Sequence, residues 1–172
     1  MKYLDSMRDS AAWYYSFAVP NKTAARAISD FVRKDTLLEV GCGNGYWANF
    51  LRQQGIEVTA TDVAIGEKGK RNEYHPSFLP RWISDMQELD GVQAIQRNRS
   101  TAVFCCYPPP QKCDWLLQVL REPSVNTFVM VGEIAGDTGT AALESELYTK
   151  WKLMKKVKLP NFINTVYCLT IW

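Results

Sequence analysis

Three glycines at alternate positions, Gly41, Gly43 and Gly45, follow closely on an acid, Glu39, in a short apolar run. Such a turn lets the backbone approach a ligand closely. It then hands the ligand to a helix N-terminus, whose exposed amides favour negative charge. A second acid, Asp62, ends the next apolar run, where a carboxylate can accept two hydrogen bonds from a vicinal diol. This chemistry points to an adenosine-containing ligand held by a nucleotide-binding α/β unit. Two phosphate-gripping alternatives weaken on the spacing. A dinucleotide fingerprint wants a small residue where Tyr46 stands, and a triphosphate loop wants a Gly-Lys-Ser/Thr ending that is missing here.

Further candidates lie downstream. Glu133 follows the apolar run Thr127–Val131, at the sheet edge where such folds place their sites, and ranks first as a base. Its plainer reading is a hydrogen-bond partner for a neighbouring loop. His75, the single histidine, can titrate near neutrality, although a lone loop histidine is more often simply solvated. Tyr107 is the third candidate. It opens Tyr107-Pro108-Pro109-Pro110, whose prolines fix an extended backbone and offer carbonyls without amides. That stretch reads equally as an acceptor surface or as a rigid strand exit. The aromatic segment with Trp13, Tyr14, Tyr15 and Phe17 reads as a lid over a flat ligand, as packing onto the core, or as both.

Alternating strands and helices must carry these groups. Residues 4–17 predict a short helix or turn, broken by Pro20, and Asn21 is placed to cap a helix with Ala24, Ala25, Ile28, Phe31 and Val32 on one face. Strand Thr36–Val40, a helix from the glycine turn to Gly55, and strand Ile56–Ala60 then make a βαβ unit. Gly66–Pro80 reads as a long functional loop. Arg81–Ser84 reads as a brief third strand with Asp85 at its tip, and Met86–Gln96 as a helix interrupted by Gly91. Strand Thr101–Tyr107, a helix around Trp115–Leu120, strand Thr127–Val131 and helix Thr140–Tyr148 follow. Lys152–Leu159 and Thr165–Trp172 should form an antiparallel edge pair. The period of two in the first of these gathers lysines on one face, which reads as a solvated surface ahead of a nucleic-acid-binding one.

The 172 residues fit one domain, with 1–35 as a helical extension or lid and 36–172 as the core. Apolar content of 47% and charged content of 22% are ordinary for a globular protein, and a net charge of +2 argues for neither nucleic acid nor an anionic membrane. No signal-peptide pattern and no apolar run near ~20 residues is present. Five cysteines without a CxxC pair read as reduced thiols in the cytoplasm, and with one histidine they give no metal-ligand spacing.

Glu39-x-Gly41-x-Gly43-x-Gly45 resembles the first motif of class I S-adenosylmethionine-dependent methyltransferases. Tyr15–Pro20, Gly45–Ala48, Asn72–His75, Tyr107–Pro109 and Val131–Glu133 extend the likeness along the chain, to a group of small methyltransferase-like proteins. The resemblance implies a Rossmann-like α/β fold: a mostly parallel seven-stranded sheet with an antiparallel C-terminal strand and helices on both faces. It implies S-adenosyl-L-methionine as cofactor, with Glu39 near the methionine ammonium, Gly41, Gly43 and Gly45 along the ligand, and Asp62 on the ribose. Asp85 or its neighbour Met86 would meet the adenine. Cys106–Pro110, with Tyr107 as a cofactor contact and Pro108 facing the substrate, resembles the D/N/S-P-P-aromatic motif of amino-group methyltransferases but departs from it at Tyr107 and Pro110. A small or medium-sized acceptor is therefore expected. A non-catalytic cofactor sensor or partner subunit, or a protein or nucleic-acid methyltransferase, stands as the alternative.

Overall fold

The computed structural model describes residues 10–32, 36–65, 81–133, 136–160 and 167–172. His75 and the loop Gly66–Pro80 lie outside them. Helix α1 (Lys22–Val32) opens at Asn21, whose Oδ1 accepts the Ala24 amide at 2.8 Å. Strand β1 (Leu37–Val40), helix α2 (Tyr46–Gln53) and strand β2 (Val58–Asp62) form the first βαβ unit, with β1 and β2 parallel. Strand β3 (Gln87–Glu88), α3 (Gly91–Asn98), β4 (Ala102–Cys106), α4 (Asp114–Leu120), β5 (Thr127–Gly132), α5 (Ala141–Lys150), β6 (Lys155–Lys158) and β7 (Cys168–Ile171) complete the described elements.

The seven strands form one sheet in the order β3-β2-β1-β4-β5-β7-β6. Pairs among β1 to β5 are parallel, and β7 runs antiparallel to both β5 and β6. The chain leaves β1 toward β3 on one side and resumes at β4 on the other. The β1/β4 junction is thus the topological switch point, where ligands of such sheets bind beyond the strands' carboxyl ends.

Strands covered on both faces read as continuous apolar runs, and these do. On one face Leu37, Phe104, Val129 and Val131 pack with Ile28 and Trp47. On the other, Leu38, Val40, Val103, Phe128 and Met130 pack with Ile95, Leu116 and Leu147. Glu39 shares the parity of Leu37, so its side chain enters the face covered by α1 and α2.

The third strand departs from expectation. It is Gln87–Glu88, paired with Thr61 and Asp62, and Arg81–Ser84 is not a strand. The apolar residues there are used elsewhere: Trp82 stacks among aromatic rings, and Ile83 packs beneath Gly45. Gly91 does not interrupt a helix but begins one, because Asp90 caps it by accepting the Gln93 amide at 2.9 Å. The sixth strand starts only at Lys155, with Leu153 and Met154 exposed ahead of it.

Candidate functional site

The glycine turn is held from two sides. Gly41, Gly43 and Gly45 all have positive φ (70°, 57° and 82°), which a side chain would strain. One oxygen of Asp62 accepts the Gly43 amide at 2.9 Å, and the other accepts the Ala64 amide at 3.0 Å. The acid at the end of β2 therefore fixes the turn as well as lining the space beside it. Beneath the turn, Met86 Sδ lies 3.4 Å from Cys42 Sγ.

Glu39 is 1% exposed, and its Oε2 has no hydrogen-bond partner. Desolvation pushes its carboxyl from 4.5 up to about 8; the Asp62 charge adds to this, and the Ala48 amide and Arg52 oppose it. An orphaned carboxylate oxygen in the interior costs free energy unless a donor or a cation meets it. Glu39 borders a cavity of about 30 Å³ walled by Gly41, Cys42, Trp47 and Cys106 and roofed by Tyr15, Ser16 and Phe17.

That roof is latched to the glycine turn. The Asn44 side-chain amide donates to the carbonyls of Trp13 (3.1 Å) and Tyr14 (2.7 Å), and the Trp82 indole N–H donates to the same Tyr14 carbonyl at 2.8 Å. The rings of Tyr15, Tyr46 and Trp82 lie 5.0–5.6 Å apart, and the Trp47 indole N–H donates to Ser16 Oγ and the Ala18 carbonyl. Tyr15 thus reaches the cavity with its side chain, whereas Trp13 and Tyr14 contribute backbone carbonyls to the latch.

A second cavity, about 570 Å³, adjoins the first across Phe17, Gly41, Cys106 and Tyr107. Asp62, Val63, Cys105, Pro108, Pro109, Pro110, Trp115 and Asp137 form the rest of its wall. Tyr107 sits at positive φ (55°), its amide bonded to the Val131 carbonyl at 2.7 Å, which turns its ring onto Phe17 in a stack with centroids 4.7 Å apart. Desolvation, together with the nearby Tyr167 and Glu133, pushes the phenol well above its ordinary value, so it holds its proton at neutral pH.

A family model described as a methyltransferase domain matches residues 13–128. The chain belongs to this methyltransferase domain family. Solved structures agree on the fold. Magnesium protoporphyrin IX methyltransferase from Synechocystis PCC 6803, with bound S-adenosyl-homocysteine, superposes at a TM-score of 0.57 and 11% identity, covering 97% of this chain and 93% of its own. TrmK of M. capricolum in complex with S-adenosyl-homocysteine gives 0.55 at 11% identity, over 88% of this chain and 67% of its own. The ribosomal protein L11 methylase from Lactobacillus delbrueckii subsp. bulgaricus gives 0.52 at 15% identity, over 90% and 80%. No curated protein matches in sequence.

Within this methyltransferase domain, the residues fit the family's cofactor. The buried Glu39 Oε2 has no donor, and Gly41 and the carboxylate of Asp62 line the larger cavity that adjoins it. Other expected residues fall elsewhere. Asp85 precedes β3 rather than following it, and its carboxylate pairs with the Arg52 guanidinium at 2.7 Å, outside both cavities. That ion pair holds the Asp85 carboxyl below the usual carboxylate range. Met86 is buried under the turn rather than in the cavity wall. Glu133 Oε2 accepts the Asp137 amide at 3.0 Å, and its side chain borders a separate small pocket with Leu143 and Tyr148. The loop-partner reading of Glu133 describes this geometry. His75 lies outside the described residues.

Three contributors escaped the sequence reading. Asn44 is hidden among the glycines of the turn, with no pattern to mark it as a latch. Val63, directly after Asp62, lines the larger cavity with 67% of its surface exposed, an exposure that its apolar side chain does not announce in the sequence. Trp115 looked like a core residue of α4, yet it reaches back to the glycine turn, within 3.8 Å of where a Cβ on Gly41 would stand.

Proposed function

We propose that this methyltransferase domain seats S-adenosylmethionine across the glycine turn and methylates a small or medium-sized acceptor in the proline-walled cavity. The observation that carries the reading is the buried, unpartnered Oε2 of Glu39, a residue of the smaller cavity, which adjoins the larger one walled by Asp62. Glu39 would meet the ammonium, the backbone of Gly41, Gly43 and Gly45 would run along the amino-acid arm, and Asp62 would accept the ribose hydroxyls. When bound, the cofactor supplies a methyl group on a sulfonium, a good leaving group. The chain's own task is then to align an acceptor in line and exclude water. Phe17 and Tyr107, shared by both cavities, stand where that alignment would be set.

Calorimetry with S-adenosylmethionine and S-adenosyl-homocysteine tests the reading, with micromolar binding of both expected. Asp62→Ala should weaken each by about 3 kcal/mol, since a diol acceptor and an anchor of the turn are lost together. Absence of binding to the wild type overturns it.

A non-catalytic cofactor sensor is the second reading. It is favoured by the protonated state of Tyr107 and the engagement of Glu133 within its own loop. It predicts cofactor binding without transfer to any of a broad metabolite panel, together with a stable partner on pull-down. A protein or nucleic-acid acceptor draws support only from the exposed lysines of β6. All five cysteines are unpaired, which supports a reducing compartment such as the cytoplasm, and no helix among the described residues is long and apolar enough to cross a membrane.

A further inference from the structure

The wall of the larger cavity discriminates among acceptors. Its faces are flat and apolar, from Phe17, Tyr107 and Trp115 with the proline rings, and such walls select a planar body. Its charged residues, among those described, are two acids, with no lysine or arginine: Asp62, given above to the ribose, and Asp137, which is left to the acceptor. Acids and aromatic faces together favour a cation and oppose a carboxylate or phosphate.

The same wall offers no competent base. Burial pushes the Cys106 thiol up to about 12 and the Cys105 thiol well above its ordinary value, and the Tyr107 phenol likewise keeps its proton. A carboxylate, with an ordinary pKa of about 4, takes a proton only weakly from an un-ionised alcohol. The acceptor atom must therefore carry a lone pair at neutral pH and have no proton to lose. An aliphatic amine of ordinary basicity arrives protonated, and an alcohol needs a base.

Resting on the reading that this cavity admits the methyl acceptor, we propose that the acceptor is a planar nitrogen heteroaromatic that is methylated on a ring nitrogen. The ring lone pair forms the new N–CH3 bond as the S–CH3 bond breaks. The electron pair of that bond returns to sulfur, leaving a neutral thioether. The positive charge passes from sulfur to nitrogen, and no proton moves. Asp137, exposed at the solvent side of the cavity, faces the resulting cation.

Three ring systems of equal size test this with the full chain: quinoline, a naphthol and a naphthoate, each with S-adenosylmethionine, reading S-adenosyl-homocysteine formation by mass spectrometry. Quinoline should react at least about tenfold faster than either oxygen acceptor. A second readout needs no turnover. With S-adenosyl-homocysteine present, N-methylquinolinium should quench tryptophan fluorescence at about tenfold lower concentration than naphthoate. Asp137→Asn should narrow that preference, and Asp137→Lys should reverse it. Preference for the naphthol or naphthoate in either readout, equal binding of the two ions, or an unchanged preference in Asp137→Lys overturns the proposal. Calorimetric binding of S-adenosylmethionine in the same preparation separates the failures. If it is lost, the cofactor reading falls. If it is intact beside a preference for naphthoate, only the acceptor class falls.

Discussion

The two adjoining cavities differ in size and in polarity. The smaller is tight, about 30 Å³, which is room for roughly one water, and its key group is a buried acid with an empty oxygen. The larger, at about 570 Å³, is open, apolar and ringed by prolines and aromatics, with acids at its edges. Backbone conformation makes the glycine turn that they share through Gly41: three positive-φ glycines and the amides that Asp62 gathers. Side-chain shape makes the remaining walls of both. A site made by backbone is specific for one ligand and hard to vary, whereas a site made by side chains is easily retuned. In the reading proposed above, the cofactor's amino-acid end meets the smaller cavity at Glu39, while its ribose shares the larger one with the acceptor.

Substitutions can break this contrast in graded steps, the strongest at Glu39. Its carboxyl is raised from 4.5 to about 8 in the folded protein, so folding retains a proton that the unfolded chain releases above 4.5. The stability this confers is fully present below about pH 4.5 and is lost as pH rises through about 8, by about 5 kcal/mol. Thermal melts of Glu39→Gln across that range should lack this decline. A variant that falls as steeply as wild type would deny Glu39 its part in the smaller cavity.

Gly45→Ala comes next. Its Cβ would lie 2.5 Å from Ile83 Cγ1 at a φ of 82°, so a loss of about 2–3 kcal/mol in denaturant unfolding is expected. A neutral result would show that the turn tolerates side chains and is not defined by its backbone. The smallest effect belongs to Asn44→Ala, which removes two donors to the roof at a cost of about 1 kcal/mol. Hydrogen exchange should quicken at residues 13–18 with little change around α4 and the proline wall. Equal quickening in both regions would mean that the cavities are one unit.

The glycine turn and its two acids were largely legible in the sequence because their determinants are local. Glycines at fixed spacing after an acid, and a second acid at the end of the next strand, signal their geometry without knowledge of the rest of the chain. The larger cavity was not. Trp115 and Val63 join it through tertiary placement, and helical periodicity cannot distinguish a tryptophan facing the core from one reaching a strand end. β3 escaped for a related reason: two polar residues, Gln87 and Glu88, make a strand only because β2 offers them an edge. The apolar pair Trp82-Ile83 drew the strand reading one segment too early, and Asp85 was misplaced with it. Glu133 was correctly located at a strand end, yet loop geometry gave its carboxylate to the Asp137 amide.

The sheet ends in β6, where Lys155, Lys156 and Lys158 occupy three of the four positions and all are exposed. An edge strand has unpaired backbone groups that invite a strand from another copy, and lysines are a common defence. Here the defence is electrostatic repulsion between like edges, and its reach shrinks as the Debye length falls from about 10 Å at 0.1 M salt to about 3 Å at 1 M. The colloidal behaviour follows: concentrated solutions should stay clear at low ionic strength and turn turbid as salt rises. Acetylating these three amines should bring on the same clouding without salt.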